Sequence, residues 1–179
     1  MIQTERLLLR PFRPDDADAF ARVLNTPAMM AHLGGMKSRA AIDASLGKRL
    51  ADQARDGFSY WAVELRDGSA LVGTCGLRLG QNYPGTPVEG LHELGWRIAE
   101  AHWRTGLARE AAEATIAWTW ANTAAPLLAA WTTAANVASW RLMERLGMAR
   151  RRDLDFTEVG CDPADLLGAR MVYALDRPA

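Results

Sequence analysis

Between Trp103 and Arg109 the chain reads Trp-Arg-Thr-Gly-Leu-Ala-Arg, a short turn of small and basic residues between two regular segments. The segment before it, Leu91 to Ile98, is rich in apolar residues and reads as a strand. The segment after it, through Trp120, is rich in alanine and reads as a helix. A strand, a tight turn and a helix start are the parts of a backbone anion cradle. The first N–H groups of a helix have no partner within it, and the helix dipole favours negative charge there. Gly106 lets backbone approach a bound group closely, and the small Ala108 leaves the space beside it open. Arg104 or Arg109 is placed to add charge-assisted hydrogen bonds. The guest predicted by this pattern carries phosphate. The same residues also suit a plain strand–helix junction bent at Gly106. Neither the GK[ST] run of a nucleotide P-loop nor the GxGxxG dinucleotide pattern occurs, so both of those phosphate binders are excluded.

The elements that must position this turn are legible in order. Arg6 to Phe12 reads as an opening strand, and Pro14-Asp15-Asp16 starts a helix with the apolar stripe Ala17, Phe20, Ala21 and Leu24. Pro27 begins a short helical turn, Gly34-Gly35 breaks it, and Ser38 opens a helix that Gly57 ends. The period then changes to alternation, with Tyr60, Ala62, Glu64 and Arg66 set against Trp61, Val63 and Leu65, predicting a half-buried strand. A hairpin turn at residues 66–69 leads into a strand from Ala70 to Leu79. Residues 80–90 are rich in Gly and Pro and read as an exposed loop. Beyond the central stretch, Leu127 to Thr133 reads as a strand and Asn136 as the cap of a helix stopped by Gly147. Met148 to Phe156 and Ala169 to Leu175 read as the last two strands, with an acidic loop between them. The sum is an α/β fold with a mixed sheet, of about seven strands and four helices, in one domain over residues 1–179.

Composition narrows the partners. The chain has 21 basic and 21 acidic residues, so nothing in its balance favours a nucleic-acid partner. Its longest basic run, Arg150-Arg151-Arg152, reads as a solvated strand edge. No apolar run approaches the length of a membrane span, and the N-terminus is too polar for a signal peptide, so a cytoplasmic location is the expectation. Cys75 and Cys161 stand far apart, without metal-ligand spacing, so no metal and no disulfide is expected.

A second ordered signature decides between cradle and plain junction. Glu93 to Ile98 (ELGWRI), followed by Trp103 to Ala111 (WRTGLAREA), resembles the acyl-CoA signature of GNAT-fold N-acetyltransferases. The run Asn136 to Met148 (NVASWRLMERLGM) resembles the N-x-x-S-x-x-L-M-E-K/R-x-G-F/M signature of the Rim-type branch, the ribosomal-protein N-terminal acetyltransferases. The opening TERLLLRPF and the Asp-Asp-Ala helix start resemble the family's beginning, so the likeness covers nearly the whole chain.

The resemblance implies a GNAT acyl-CoA N-acyltransferase fold with a splayed central strand pair and acetyl-CoA as cosubstrate. Backbone N–H groups of Gly106, Leu107, Ala108 and Arg109, led in by Trp103, Arg104 and Thr105, would hold the pyrophosphate. Backbone near Trp96, Arg97 and Ile98 would hold pantetheine. Asn136 would bind coenzyme A, or serve as a helix N-cap, or both. Acetyl transfer needs a base for the amine, a stabilised oxyanion and a proton for the leaving thiolate. The resemblance offers Glu93 as base, with His92 a second candidate on the opposite strand face and an exposed strand-end carboxylate the alternative for Glu93. Many relatives use a tyrosine acid where this chain has Met143, which cannot donate; Ser139 is the residue the Rim-type branch offers near the thioester sulfur. Met29, Met30 and Met36 fall where the family has its acceptor-covering segment, and Trp61, Trp96 and Trp103 nearer the cleft. The implied acceptor is a primary amine, either a protein N-terminus or a small molecule, and the resemblance leaves a homodimer open. A non-catalytic acyl-CoA-binding module is the competing reading, kept alive by Met143.

Overall fold

The computed structural model of the chain describes residues 1–68, 70–80, 83–158, 161 and 168–178. Among them are nine strands and five α-helices: β1 (Ile2–Gln3), β2 (Leu7–Arg10), α1 (Ala17–Leu24), α2 (Pro27–Met30), α3 (Arg39–Asp56), β3 (Tyr60–Leu65), β4 (Leu71–Leu79), β5 (His92–Ile98), α4 (Leu107–Asn122), β6 (Leu127–Thr132), α5 (Val137–Arg145), β7 (Ala149–Arg150), β8 (Phe156–Thr157) and β9 (Ala169–Asp176). The chain divides into two compact units, Met1–Arg78 with Gly95–Trp118, and Leu79–Leu94 with Thr119–Ala179.

In the first unit β1, β2, β3 and β4 form consecutive antiparallel pairs, and the last residues of β5 lie beside β4. Ala99 N–H donates to Val72 O at 2.8 Å just past the end of β5. The approach is close: a Cβ added to Gly73 would stand 2.4 Å from Arg97 O. One face of this sheet is covered by α1, α2 and α3, whose Phe20, Leu24, Met29, Met30, Ile42 and Leu46 pack with Phe12 and Ala62. The helices are built for this. Thr26 Oγ1 accepts from Met29 N–H with Pro27 in the first turn, and Ser38 Oγ accepts from Ala41 N–H. Helix α4 covers the other face with small residues, Ala111, Ala112 and Thr115, all fully buried. Thr115 Oγ1 lies 3.4 Å from Cys75 Sγ on β4, and Trp118 meets Trp61 edge-on at 4.9 Å.

In the second unit β6 pairs antiparallel with β9, which also pairs with β7 and β8. The first residues of β5 pair in parallel with β6, in the register His92↔Leu128 and Glu93↔Ala129. Its core holds Val88, Ala129, Phe156 and Val172, and the rings of Tyr83, Trp131 and Phe156 meet edge-to-face at 5.1–5.6 Å.

The mixed α/β fold agrees with the expectation, and five local readings change. Strand β3 is not half-buried, because Trp61, Ala62 and Val63 are all buried in a sheet covered on both faces. That also puts Trp61 in the core, at 4% exposure, and not at a cleft. Met148 to Phe156 is not one strand. Arg150 pairs with Asp155 and Arg151 with Asp153, and Leu154 N–H donates to Arg151 O, which folds the segment into two short strands flanking a 3-10 turn. The three arginines at its start are therefore ion-paired in part, not simply solvated. The loop 80–90 is anchored inward by Val88 and Tyr83, although Gln81 and Asn82 lie outside the described residues. Ser69 of the predicted hairpin and most of the acidic loop, residues 159, 160 and 162–167, also lie outside them.

Candidate active site

The turn expected to bind phosphate lies directly before α4. Two of its residues have positive φ, Arg104 at 64° and Gly106 at 87°. Arginine rarely adopts this left-handed region, which costs about 1–2 kcal/mol for a residue with a Cβ. Residues of this conformation beside right-handed ones turn successive N–H groups toward one point, forming an anion-binding nest. The first hydrogen bond of α4 runs from Glu110 N–H to Gly106 O at 3.0 Å, so the N–H groups of Leu107, Ala108 and Arg109 precede the helical ladder.

Two distant residues pin this turn, and sequence reading assigned a role to neither. Arg6 Nη1 donates to Thr105 O at 3.0 Å, while its Nε donates to Glu110 Oε2 at 2.7 Å and its backbone N–H to Glu110 Oε1 at 2.9 Å. Thr4 Oγ1 donates to the same Oε1 at 2.6 Å. Burial would push the Glu110 carboxyl up, but the hydrogen bonds from Thr4 and Arg6 outweigh it and hold the group below the ordinary carboxylate range. The bend between β1 and β2 thereby clamps both the last carbonyl before Gly106 and the first turn of α4. No local pattern announces a contact between residues 104 positions apart. A shallow cavity of about 350 Å³ opens here, lined by Glu5, Arg6, Gly106, Arg109, Glu110 and Glu113.

The flanking residues lead into the cradle. Trp103 is half exposed, and its indole N–H donates to Ile98 O at 2.7 Å, tying the end of β5 to the turn. Thr105 Oγ1 donates to His102 O at 2.6 Å. Arg109 is held by Glu113 at 2.7 Å, so its charge is partly neutralised, while Arg104 is exposed. Trp96 and Arg97 are half-buried and Ile98 is buried. The parallel ladder from β5 to β6 covers His92 and Glu93 and does not include Trp96, Arg97 or Ile98 among the described residues.

In the second unit, Glu93 is 7% exposed, so it is not an exposed strand-end carboxylate. Asn136 caps α5, its Oδ1 accepting from Ser139 N–H at 3.3 Å. That fixes Ser139 in the first helical turn, half-buried. Met143 is 2% exposed and serves as packing. Of the methionines near Gly34-Gly35, Met29 and Met30 are core and Met36 is exposed. Among the described residues, no group of three His, Cys, Asp or Glu side chains could hold a metal ion, and no helix is long and apolar enough to cross a membrane.

Comparison with known proteins gives this geometry a family. A family model described as an acetyltransferase (GNAT) domain matches residues 6–149. The chain is 28% identical over 146 residues to the uncharacterized protein YkkB of Bacillus subtilis (strain 168), covering 81% of this chain and 83% of that one. An acetyltransferase from Agrobacterium tumefaciens str. C58 has a similar crystal structure, with a TM-score of 0.78 and 25% identity over 97% of this chain and 92% of that one. RimL, a ribosomal L7/L12 alpha-N-protein acetyltransferase solved in complex with coenzyme A, shares the fold at a TM-score of 0.76 and 13% identity, covering 97% and 95% of the two chains. The matched span starts at Arg6, which pins the turn, and ends just past the helix capped by Asn136. With both signatures inside that span, the chain belongs to the GNAT acetyltransferase family.

Proposed function

We propose that this protein is an acetyl-CoA-dependent N-acetyltransferase that acetylates a primary amine, a protein N-terminus or a small molecule, by direct attack on the thioester, with residues 1–179 acting as one catalytic domain. The observation that carries this reading is the clamped N–H cradle from Arg104 to Arg109, whose positive-φ residues and free helix-start donors fit a pyrophosphate. In this reading the N–H groups of Gly106, Leu107, Ala108 and Arg109 hold the pyrophosphate, and the backbone of Trp96, Arg97 and Ile98 holds pantetheine. Bound acetyl-CoA supplies the activated acetyl group. The amine nitrogen forms the new bond to the acyl carbon as the carbon–sulfur bond breaks.

Glu93 takes the proton the amine must lose. An α-amino group, with a pKa of roughly 8, asks little of a carboxylate base, directly or through one water. Ser139, held in place by the Asn136 cap, donates a hydrogen bond toward the leaving sulfur, and Asn136 keeps its amide N–H groups for coenzyme A. The buried Met143 removes the tyrosine acid that many relatives use. That substitution favours a second reading, a non-catalytic acyl-CoA-binding module.

Thiol release from acetyl-CoA across a panel of amines and peptides separates the two. The enzyme reading expects turnover with at least one amine, and Glu93→Gln should lower kcat about a hundredfold with little change in acetyl-CoA affinity. Tight acetyl-CoA binding with no release for any amine would establish the binding module instead.

A further inference from the structure

The first unit contains a second cationic site, separate in composition from the turn. Arg49, on α3, is only 9% exposed. Its guanidinium carbon lies 5.4, 5.3 and 5.1 Å from the ring centres of Phe12, Phe20 and Tyr60. Nη1 donates to Thr74 Oγ1 at 3.2 Å and reaches Tyr60 O at 3.5 Å, while Nε has no hydrogen-bond partner among the described residues. Arg97, on β5, lies 5.4 Å from the Phe20 ring, with Nη1 donating to Met30 Sδ at 3.6 Å. Arg78, on β4, lies 5.2 Å from the Tyr60 ring. Three guanidinium groups thus share two rings.

Elsewhere in this unit arginines meet carboxylates. Arg10 holds Asp16 and Glu64, Arg6 holds Glu110, Arg39 holds Asp18 and Asp43, and Arg55 holds Asp52 and Asp56. No ion pair joins Arg49 or Arg97 to a carboxylate among the described residues. Burial first, and then the charge of Arg97, pull Arg49 down to about 9; the counter-pull of Asp52 is the smallest effect. Burial likewise pulls Arg97 down to about 10, with Tyr60 opposing and Arg78 adding to the fall. A guanidinium stays charged at neutral pH, so Arg49 and Arg97 hold buried positive charge that the ring contacts offset only in part. Arg97, Arg78 and Tyr60 are half-buried, so each keeps some contact with solvent, while Arg49 is buried.

We propose that Arg97 and Arg49, with Arg78 beside them, bind the carboxylate of the acceptor, so that the amine acetylated belongs to an amino acid or a peptide bearing a carboxylate. A guanidinium held against rings keeps N–H donors for hydrogen bonding, and its planar fork matches a carboxylate with two parallel hydrogen bonds. A carboxylate here supplies a counter-charge for Arg49 and Arg97 and a partner for Arg49 Nε. As a statement about the acceptor, this rests on the transferase reading; as a statement about anion binding, it stands without turnover.

The test uses the whole chain and two readouts. In calorimetric titrations, N-acetylamino acids and short N-acetylated acidic peptides are compared with the corresponding amides, as product mimics that need no catalysis. At least one acid should bind roughly tenfold or more tightly than its amide. Arg97→Met keeps the stem packed on Phe20 and Met30, and should reduce that preference to less than about twofold. Arg49→Lys provides a second variant that retains charge but loses the planar fork, and should weaken the preference. Equal binding of every acid and amide, or a preference that survives both variants, overturns the pocket. Thiol release with acids and amides as free amines is the second readout. Turnover without a carboxylate preference overturns the pocket while leaving the transferase reading in place. Acid-selective binding with no turnover of any amine upholds the pocket as an anion site and overturns the transferase reading. Stronger selection for amines bearing phosphate monoesters than for carboxylates overturns the carboxylate assignment.

Discussion

The turn at residues 103–109 and the arginine cluster around Phe20 and Tyr60 both suit negative charge, and they do so in opposite ways. The turn presents backbone. Two of its nearby arginines are already committed, Arg6 to Glu110 and Arg109 to Glu113, so in the proposed reading recognition rests chiefly on N–H groups, with Arg104 exposed beside them. The cluster presents side chains, gathered from α1, α3, β3, β4 and β5, and leaves Arg49 and Arg97 without a carboxylate among the described residues. A backbone site is rigid and selects a class of group, such as phosphate. A side-chain site is adjustable by single substitutions, and suits the component that varies among related enzymes, the acceptor.

Gly106→Trp should break the turn and spare the cluster. At a φ of 87° a large side chain is strained, and its Cβ would point toward Arg6 Nη2 at 3.4 Å. Acetyl-CoA affinity measured by calorimetry should fall about a hundredfold, while discrimination between N-acetylamino acids and their amides is unchanged. A folded variant with native affinity would mean the cradle lies elsewhere.

A smaller effect should come from the clamp. Glu110→Gln removes the charge that Arg6 and Thr4 hold; allowing for its partial exposure, about 1 kcal/mol and 2–4 °C of melting temperature should be lost at pH 7. The folded Glu110 titrates below its ordinary range, so its contribution is complete above the unfolded value and lost as pH falls through the folded one. The gap between variant and parent should therefore close on acidification below about pH 4. A gap that stays constant across that range would remove Glu110 ionisation from the clamp.

The same contrast explains what could be read from the chain. The Thr-Gly-Leu-Ala run at 105–108 and the Asn136 cap are local signals, and the structure has the turn and the helix there. Strands and helices were legible wherever one face alone is buried, as along α1 with Phe20 and Leu24. At β3 the strand was legible but its two-sided burial, as at Ala62, was not, and ion pairs override strand propensity from Arg150 to Asp155. The clamp and the cluster were invisible for a common reason. Arg6 meets Glu110, and Arg49 meets Tyr60, Thr74 and Phe20, only after the sheet and helices have formed, so no spacing in the sequence marks them.

The most direct test of the central claim is a titration of the isotopically labelled protein with coenzyme A, followed through its backbone amide resonances. The N–H signals of Gly106, Leu107, Ala108 and Arg109 should show the largest shifts, saturating at one equivalent per chain, with the Nε–H signals of Arg49 and Arg97 moving little. Saturable binding that leaves those four amides in place, or that moves the arginine signals most, would contradict the assignment of the turn as the coenzyme A site.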